Sequence, residues 1–300
     1  MKNSSYQFST PLIDVCRNAT DDFNLFHDKF NWKKIRNNPF NGPIALGFQL
    51  LGLVSEHIKQ YRENNNDLAI IEKNQLKYSY YQIKFAQVVT PLDRISVDVK
   101  KTQYKTTPEH ILSNRFTLKT QDSLALIGFN KASQHPLILK TIDLSKLEEI
   151  NQLPDRTFTK NNEWFIKHKF FTTSNAKNFL VGCQVEQSIY FDEINDKVIF
   201  PESFPLALSS CALLERATKL QHDFEKDPMI YISHEHCIDR EAVNRLSSNE
   251  KMSMIVKKQS ETGSNELETF YCFGLLGNNR ILFRSILTLA PLSTLLKKVN

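Results

Sequence analysis

The sequence predicts an α+β chain built twice on one plan, each half an antiparallel sheet wrapped around a central buried helix. Three observations predict it. Residues 44–54, IALGFQLLGLV, are apolar on nearly every side, with Gln49 as the one polar side chain; a helix without a polar face must be surrounded by other elements. Downstream the period changes to two, and short alternating runs separated by turn residues follow one another. After a polar connection the same order returns, with a second small and apolar helix at 206–220 followed by more strand-like runs. The repeat is one of order and spacing, with a unit of about 140 residues, a common domain size.

In chain order, Ser9 or Thr10 can cap a first helix, Pro11 suits its opening position, and Leu12, Ile13, Val15, Cys16 and Ala19 give it an apolar face. Residues 21–41 are polar and aromatic and end in turn chemistry: Asn37, Asn38, Pro39, Asn41, Gly42, Pro43. The wrapped helix is expected over 44–61, capped by Asn41 or Gly42, with its second half from Ser55 emerging into solvent. Strands are expected from Tyr78 to Val89, where Pro91 stops the run, then at 95–101, 111–118 and 124–129. Residues 136–163 read as a connection holding a short amphipathic piece at 144–153. The second half runs through Phe165–Phe171, an irregular stretch with Pro201 and Pro205, the helix, and strands at 229–238, 252–256, 267–276 and 281–289. The expected organisation is therefore 1–135, 136–163 and 164–300, with the active chemistry in the first unit.

Composition narrows the function classes. Hydrophobic residues make up 41% and charged residues 24%, which fits a folded globular chain. No apolar run approaches the roughly 20 residues of a membrane span, and MKNSSYQFST lacks the apolar core of a signal peptide. The five cysteines form no CxxC pair, so free thiols in a reducing compartment are expected. A cytoplasmic protein that binds no membrane follows. The net charge of +5 is spread over scattered basic residues, which argues against nucleic acid. His234, Glu235 and His236 place two imidazoles on one strand face. A solvated face is the expectation there, and a metal site would need His222 or Glu241 as a further ligand. Cys183 and Cys211 read as core thiols, and Gly52 as a close-packing glycine.

The chemistry concentrates in Asp21–Leu51. Asp22, Asn24 and His27 set an acid, an amide and an imidazole within six residues of irregular chain. Asp22 and His27 can face one pocket and hold a water between a hydrogen-bond acceptor and a group titrating near neutrality, while Asn24 orients either. Gly47 lies in the first turns of the wrapped helix, where N–H groups lack helical partners and a side chain would block approach. A carbonyl oxygen there would be polarised as it turned into an enolate. The arrangement suits adding water to, or removing it from, an activated carbonyl compound.

These residues resemble a known family. Asp22-Phe23-Asn24-Leu25-Phe26-His27, followed by Gly42-Pro43-Ile44-Ala45-Leu46-Gly47-Phe48, is similar to the acid-aromatic-Asn-Pro-x-His and Gly-Pro-Ile-x-His-Gly-Met runs of the MaoC-like, or hydratase-2, branch of the hotdog fold. Phe85–Val97 resembles its strand–turn–strand signature, with Pro91, Leu92 and Asp93 at the turn. The likeness covers residues 9–130, and the second half fits as a decayed copy in a double hotdog. The resemblance implies reversible hydration of a trans-2-enoyl thioester to the (R)-3-hydroxyacyl thioester. Asp22 and His27 would be catalytic with Asn24 in support, and Gly47, with Ala45, Leu46 and Phe48 around it, would bind the acyl thioester. The acyl chain would ride on CoA or on acyl carrier protein, with no metal and no redox cofactor, in a pseudo-dimeric monomer or a homodimer. Leu25, Asp21 and Leu46 depart from the family's Pro, Gly and helix His, and Phe179-Leu180-Val181-Gly182 carries neither acid nor His. A non-catalytic acyl-thioester-binding or partner protein is the alternative, and a thioesterase the third.

Overall fold

The computed structural model describes residues 5–142, 144, 147–259 and 267–294. The first half opens with α1 (Thr10–Thr20), followed by α2 (Gly47–Asn64) and α3 (Asp67–Lys73). Its strands are β1 (Tyr78–Phe85), β2 (Ile95–Val99), the short β3 (Gln103–Lys105), β4 (Ile111–Thr120) and β5 (Leu124–Ser133). The second half begins with β6 (Thr157–Phe158), β7 (Phe165–Phe170) and α4 (Thr173–Gly182), then the hairpin β8 (Phe191–Asp192) and β9 (Lys197–Val198). It continues with α5 (Ser203–Ala207), α6 (Ser209–Lys219), β10 (Met229–Asp239), α7 (Arg240–Val243), β11 (Lys251–Lys258), β12 (Glu268–Leu276) and β13 (Arg280–Pro291).

One long antiparallel sheet carries both halves, in the order β2-β4-β5-β1-β10-β13-β12-β11-β7-β6, with β3 beside β4. The seam is the β1–β10 pair, Tyr81 opposite His236 and Ile83 opposite His234. Read outward from the seam, β1, β5, β4, β2 on one side mirror β10, β13, β12, β11 on the other. The repeat expected from element order is therefore present as an approximate twofold in the sheet. The same twofold pairs α1 with α4: Gly182 leaves room for Cys16 of α1 to press against its backbone.

Helix α2 is the core of the first half. Every residue from Phe48 to Val54 is buried, as its all-round apolarity requires. Gly52 faces α4, where an added Cβ would sit deep inside the radius of Cys183 Sγ and 3.2 Å from Phe179 Cζ. Buried Gln49 is satisfied on both sides of its amide: Nε2 donates to Gly182 O (2.7 Å) and Leu12 O (3.3 Å), and Oε1 accepts from Leu46 N–H (3.3 Å).

Several expectations are corrected. Helix α2 begins at Gly47, with Leu46 as its N-cap residue, not at Ile44 with Asn41 or Gly42 as cap. The reason is prior commitment of backbone donors: Ile44 N–H bonds Phe26 O (2.9 Å) and Ala45 N–H bonds Val89 O (2.8 Å), which holds 44–46 extended. The polar half of α2 does not simply emerge into solvent. Glu56 and Arg62 are buried; Glu56 accepts from Tyr190 O–H (2.8 Å) and Arg62 Nε donates to Asn114 Oδ1 (2.8 Å). The second central helix starts earlier, at Ser203, in two pieces that meet at Leu208. Pro205 is tolerated because first-turn N–H groups have no helical partner to lose. His234 and His236 are not on a solvated face; both are 0% exposed and pack on Phe48, with ring centroids 4.7 and 5.4 Å away. Of the amphipathic piece at 144–153, residues 145 and 146 lie outside the described residues, and Ile150–Gln152 forms a single 3-10 turn.

The contact at Gly52 yields a stability test. Gly52→Ala gains up to about 1 kcal/mol of helix propensity, yet the overpacking against Cys183 outweighs it, for a net loss of about 1–2 kcal/mol. Urea denaturation should show a lower midpoint at unchanged slope, and adding Cys183→Ala to the same chain should recover part of the loss.

Candidate active site

The end of α1 sets the site. Asp21 adopts the left-handed conformation (φ 51°) as the C-cap residue, and Asp22 N–H returns to Arg17 O (3.0 Å). Asp tolerates this conformation better than most side chains. The reversal separates the two adjoining carboxylates: Asp21 turns outward to an ion pair with Lys169, and Asp22 turns inward to 3% exposure.

Asp22 is fully engaged. Its Oδ1 accepts from Asn24 N–H (2.9 Å) and its Oδ2 from Ser210 O–H (2.6 Å), with Tyr231 O–H donating to Ser210 Oγ (3.4 Å). Burial, with a further push from the Asp22 charge, raises the Tyr231 phenol and keeps it a donor. Asn24 Oδ1 accepts from Phe26 N–H (3.1 Å) and caps the 3-10 turn Leu25–His27, which delivers His27 to the inside.

His27 is 6% exposed, and its Nδ1 lies 2.8 Å from Ile44 O. A carbonyl oxygen can only accept, so Nδ1 carries the proton and Nε2 keeps a lone pair. Burial lowers the His27 pKa below the ordinary histidine value; the Asp22 charge and the bond to Ile44 oppose that, and the Arg17 charge adds to it. The ring is therefore neutral at pH 7, with a basic nitrogen available. Arg17 itself is held by Asp28 at 2.8 Å.

His27 lines a cavity of about 570 Å³ together with Asn24, Ala45, Gly47, Leu50, Phe85, Val88, Met229 and Tyr231. Among the described residues, the Gly47 N–H has no hydrogen-bond partner, because it is the first of the helix donors that lack one. Backbone N–H groups at a helix start favour a partial negative charge. A second cavity of about 280 Å³, lined by α6, β10 and β12 residues including Ser210, Arg216 and Phe270, shares Asn24, Met229 and Tyr231 with the first. Asp22 sits behind this shared wall, reached through Asn24 and Ser210.

Of the residues singled out in sequence, His27, Asn24, Gly47 and Ala45 meet at the large cavity. Leu46 and Phe48 do not line it; both are core side chains at 1% exposure. Sequence inspection did not single out Ser210 or Tyr231, which come from the second half. The available signal was a pair of serines, Ser209-Ser210, in an otherwise apolar helix start. Among the described residues, no cluster of three or more His, Cys, Asp or Glu is placed to hold a metal ion.

No protein-family model matches the chain, and a search of curated proteins finds no match. Solved structures do match it over nearly its whole length. A MaoC-like dehydratase aligns at TM-score 0.58 with 10% identity, covering 97% of this chain and 96% of its own. A conserved hypothetical protein from Mycobacterium tuberculosis, described as having a double hotdog fold, aligns at 0.54 with 11% identity over 97% and 96%. The fold is a double hotdog. A MaoC-like dehydratase from Phytophthora capsici aligns at 0.51 with 9% identity over 95% and 94%. In double-hotdog terms, the loop that follows α1 belongs to the first half, and the hydroxyls that meet its acid belong to the second.

The electrostatic coupling can be measured. Because the Asp22 charge raises the His27 pKa, Asp22→Asn should move it further down, while Ser210→Ala leaves the charge in place and moves it less. A ¹H–¹³C titration of His27 Cε1–H reads both. An upward or absent shift in Asp22→Asn would separate the two residues electrostatically.

Proposed function

We propose that this double hotdog is an (R)-specific 2-enoyl-thioester hydratase, or in the reverse direction a 3-hydroxyacyl-thioester dehydratase, acting on CoA- or carrier-protein-bound acyl chains. The observation that carries the proposal is the state of His27. Its Nδ1–H is fixed on Ile44 O (2.8 Å), which leaves Nε2, without a partner among the described residues, as a base at a cavity that also receives the Gly47 N–H. The likeness in fold to MaoC-like dehydratases supports the reading.

In the hydration direction, His27 Nε2 takes a proton from water as the water oxygen bonds to C3 of the enoyl chain. The C2–C3 π electrons shift toward the thioester oxygen, where the Gly47 N–H stabilises the developing enolate. The imidazolium then returns its proton to C2, so the net change is OH on C3 and H on C2. Asp22, negatively charged and close enough to raise the His27 pKa, stabilises the imidazolium between the two transfers. Asn24 holds the loop through its cap on Phe26. The two cavities that share Asn24 and Tyr231 offer room for an acyl chain and a pantetheine arm on either side of this centre.

Purified protein should consume crotonyl-CoA or a longer enoyl-CoA, seen as loss of enoyl absorbance, with the (R)-hydroxy product on chiral analysis. His27→Ala and Asp22→Asn should each lower kcat by 100-fold or more, the scale of lost acid–base assistance at roughly 10²–10⁴. Acyl-CoA binding that survives His27→Ala, with no turnover in the unaltered protein, would select the non-catalytic binding role. Release of free thiol detected by a thiol-reactive dye would select a thioesterase.

A further inference from the structure

The second half brings a buried polar group to the helix start that the reaction described above does not use. His234, on β10, is 0% exposed, and among the described residues neither ring nitrogen has a hydrogen-bond partner. Its neighbours are π faces and edges: Phe48 stacks on it at 4.7 Å, and Tyr231 and Phe85 meet it edge-on at 4.4 and 4.8 Å. None of these replaces a hydrogen bond. His236, 5.2 Å away, is anchored through Nδ1 to Ser285 Oγ (2.8 Å). Burial, reinforced by His236, holds the His234 ring neutral. In either tautomer a neutral imidazole keeps one N–H and one lone pair, and buried groups of this kind are normally satisfied.

The position of the ring gives the missing partner an address. A Cβ on Gly47 would lie 3.2 Å from His234 Cε1, so the ring rests directly on the first residue of α2. Gly47, Phe85 and Tyr231 all touch His234 and all line the large cavity. Two donors without partners among the described residues therefore stand side by side at the helix start: the Gly47 N–H on the cavity wall, and His234 one layer behind it, screened by Phe85 and Tyr231. The walls around them, Ala45, Leu50, Val88 and Ile230, are apolar.

We propose that His234 is a ligand-contacting residue of this site: its imidazole N–H donates, beside the Gly47 N–H, to the acyl oxygen of a bound thioester as Phe85 or Tyr231 shifts aside. The inference rests on the thioester reading of the cavity, and it makes the oxygen-binding end of the site a joint product of both halves. In the enolate-forming step, His234 supplies the second hydrogen bond to the oxygen.

The test uses the full chain and two independent readouts. In protein labelled with ¹⁵N-histidine, the His234 ring nitrogens should shift on saturation with a crotonyl-CoA analogue in which a methylene replaces the thioester sulfur. In kinetics with crotonyl-CoA, His234→Phe should lower kcat roughly 100-fold, the usual effect of removing one oxyanion donor, with a smaller change in KM. His234→Gln, which restores an N–H, should recover part of the loss. His236→Phe serves as the packing control, with folding of each variant followed by circular dichroism. No His234 shift at saturating analogue, kcat in His234→Phe within about twofold of the unaltered protein, or an equal loss in His236→Phe overturns the proposal. Analogue binding that shifts His234 in a protein with no hydration activity supports the contact and rejects the hydratase. Failure of the analogue to bind rejects both.

Discussion

Two hydrogen bonds on one residue hold the candidate site together. Ile44 N–H donates to Phe26 O at 2.9 Å, and Ile44 O accepts from His27 Nδ1–H at 2.8 Å. The first ties the acidic loop to the segment that enters α2. The second sets the tautomer of the imidazole and aims its basic nitrogen. Together with Ala45 N–H on Val89 O (2.8 Å), the first bond keeps residues 44–46 extended, so the helix begins at Gly47 and its first N–H lies at the cavity. The placement of the His27 ring and of the Gly47 N–H at one cavity thus depends on one short extended segment.

A constraint this local needs support from the rest of the molecule, and Gln49 supplies it. Its amide bonds Leu12 O, Gly182 O and Leu46 N–H at once, linking the starts of α1 and α2 to the end of α4. Buried amides are costly unless satisfied, so the three bonds fix the position of the helix start relative to both neighbours. By accepting from the Leu46 N–H, Gln49 supplies the N3 half of a capping box, whose other half is missing because Leu46 has no side-chain acceptor. It leaves Gly47 as the next donor in line.

How much of this was legible in sequence follows from the range of each signal. The buried helix announced itself because apolarity on every side has one physical solution, and the order of the strands announced the repeat. Asp22, Asn24, His27 and Gly47 were visible because they lie close in sequence. The start of α2 was misplaced by three residues because Asn41, Gly42 and Pro43 are good local helix openers, whereas the bonds that override them come from Phe26 and Val89, far along the chain. The histidines of β10 were expected on a solvated face because that is the commoner setting for two imidazoles on one strand face; here Glu235 turns to accept from Tyr80 O–H at 2.6 Å and both rings turn to the core. Ser210 showed only as half of a serine pair in an apolar helix start and Tyr231 carried no local signal, since their meaning depends on the Asp22 carboxylate roughly two hundred residues earlier.

The second half lacks the acid and the imidazole of the first, and its role changes when its contacts are followed rather than its motif. Ser210 bonds the acid, Tyr231 backs Ser210 and walls both cavities, and His234 rests on the first residue of α2. The β1–β10 seam makes this possible: antiparallel pairing at the approximate twofold brings the start of β10 beside the end of β1, where the chain leads to Val88 and Val89 on the cavity wall. A buried polar side chain is costly for the fold alone, so such groups are best explained by what they touch between the two halves. Asp22 and Ser210 meet that description within the protein; His234, whose ring nitrogens have no partner among the described residues, meets it in the proposed contact with the acyl oxygen.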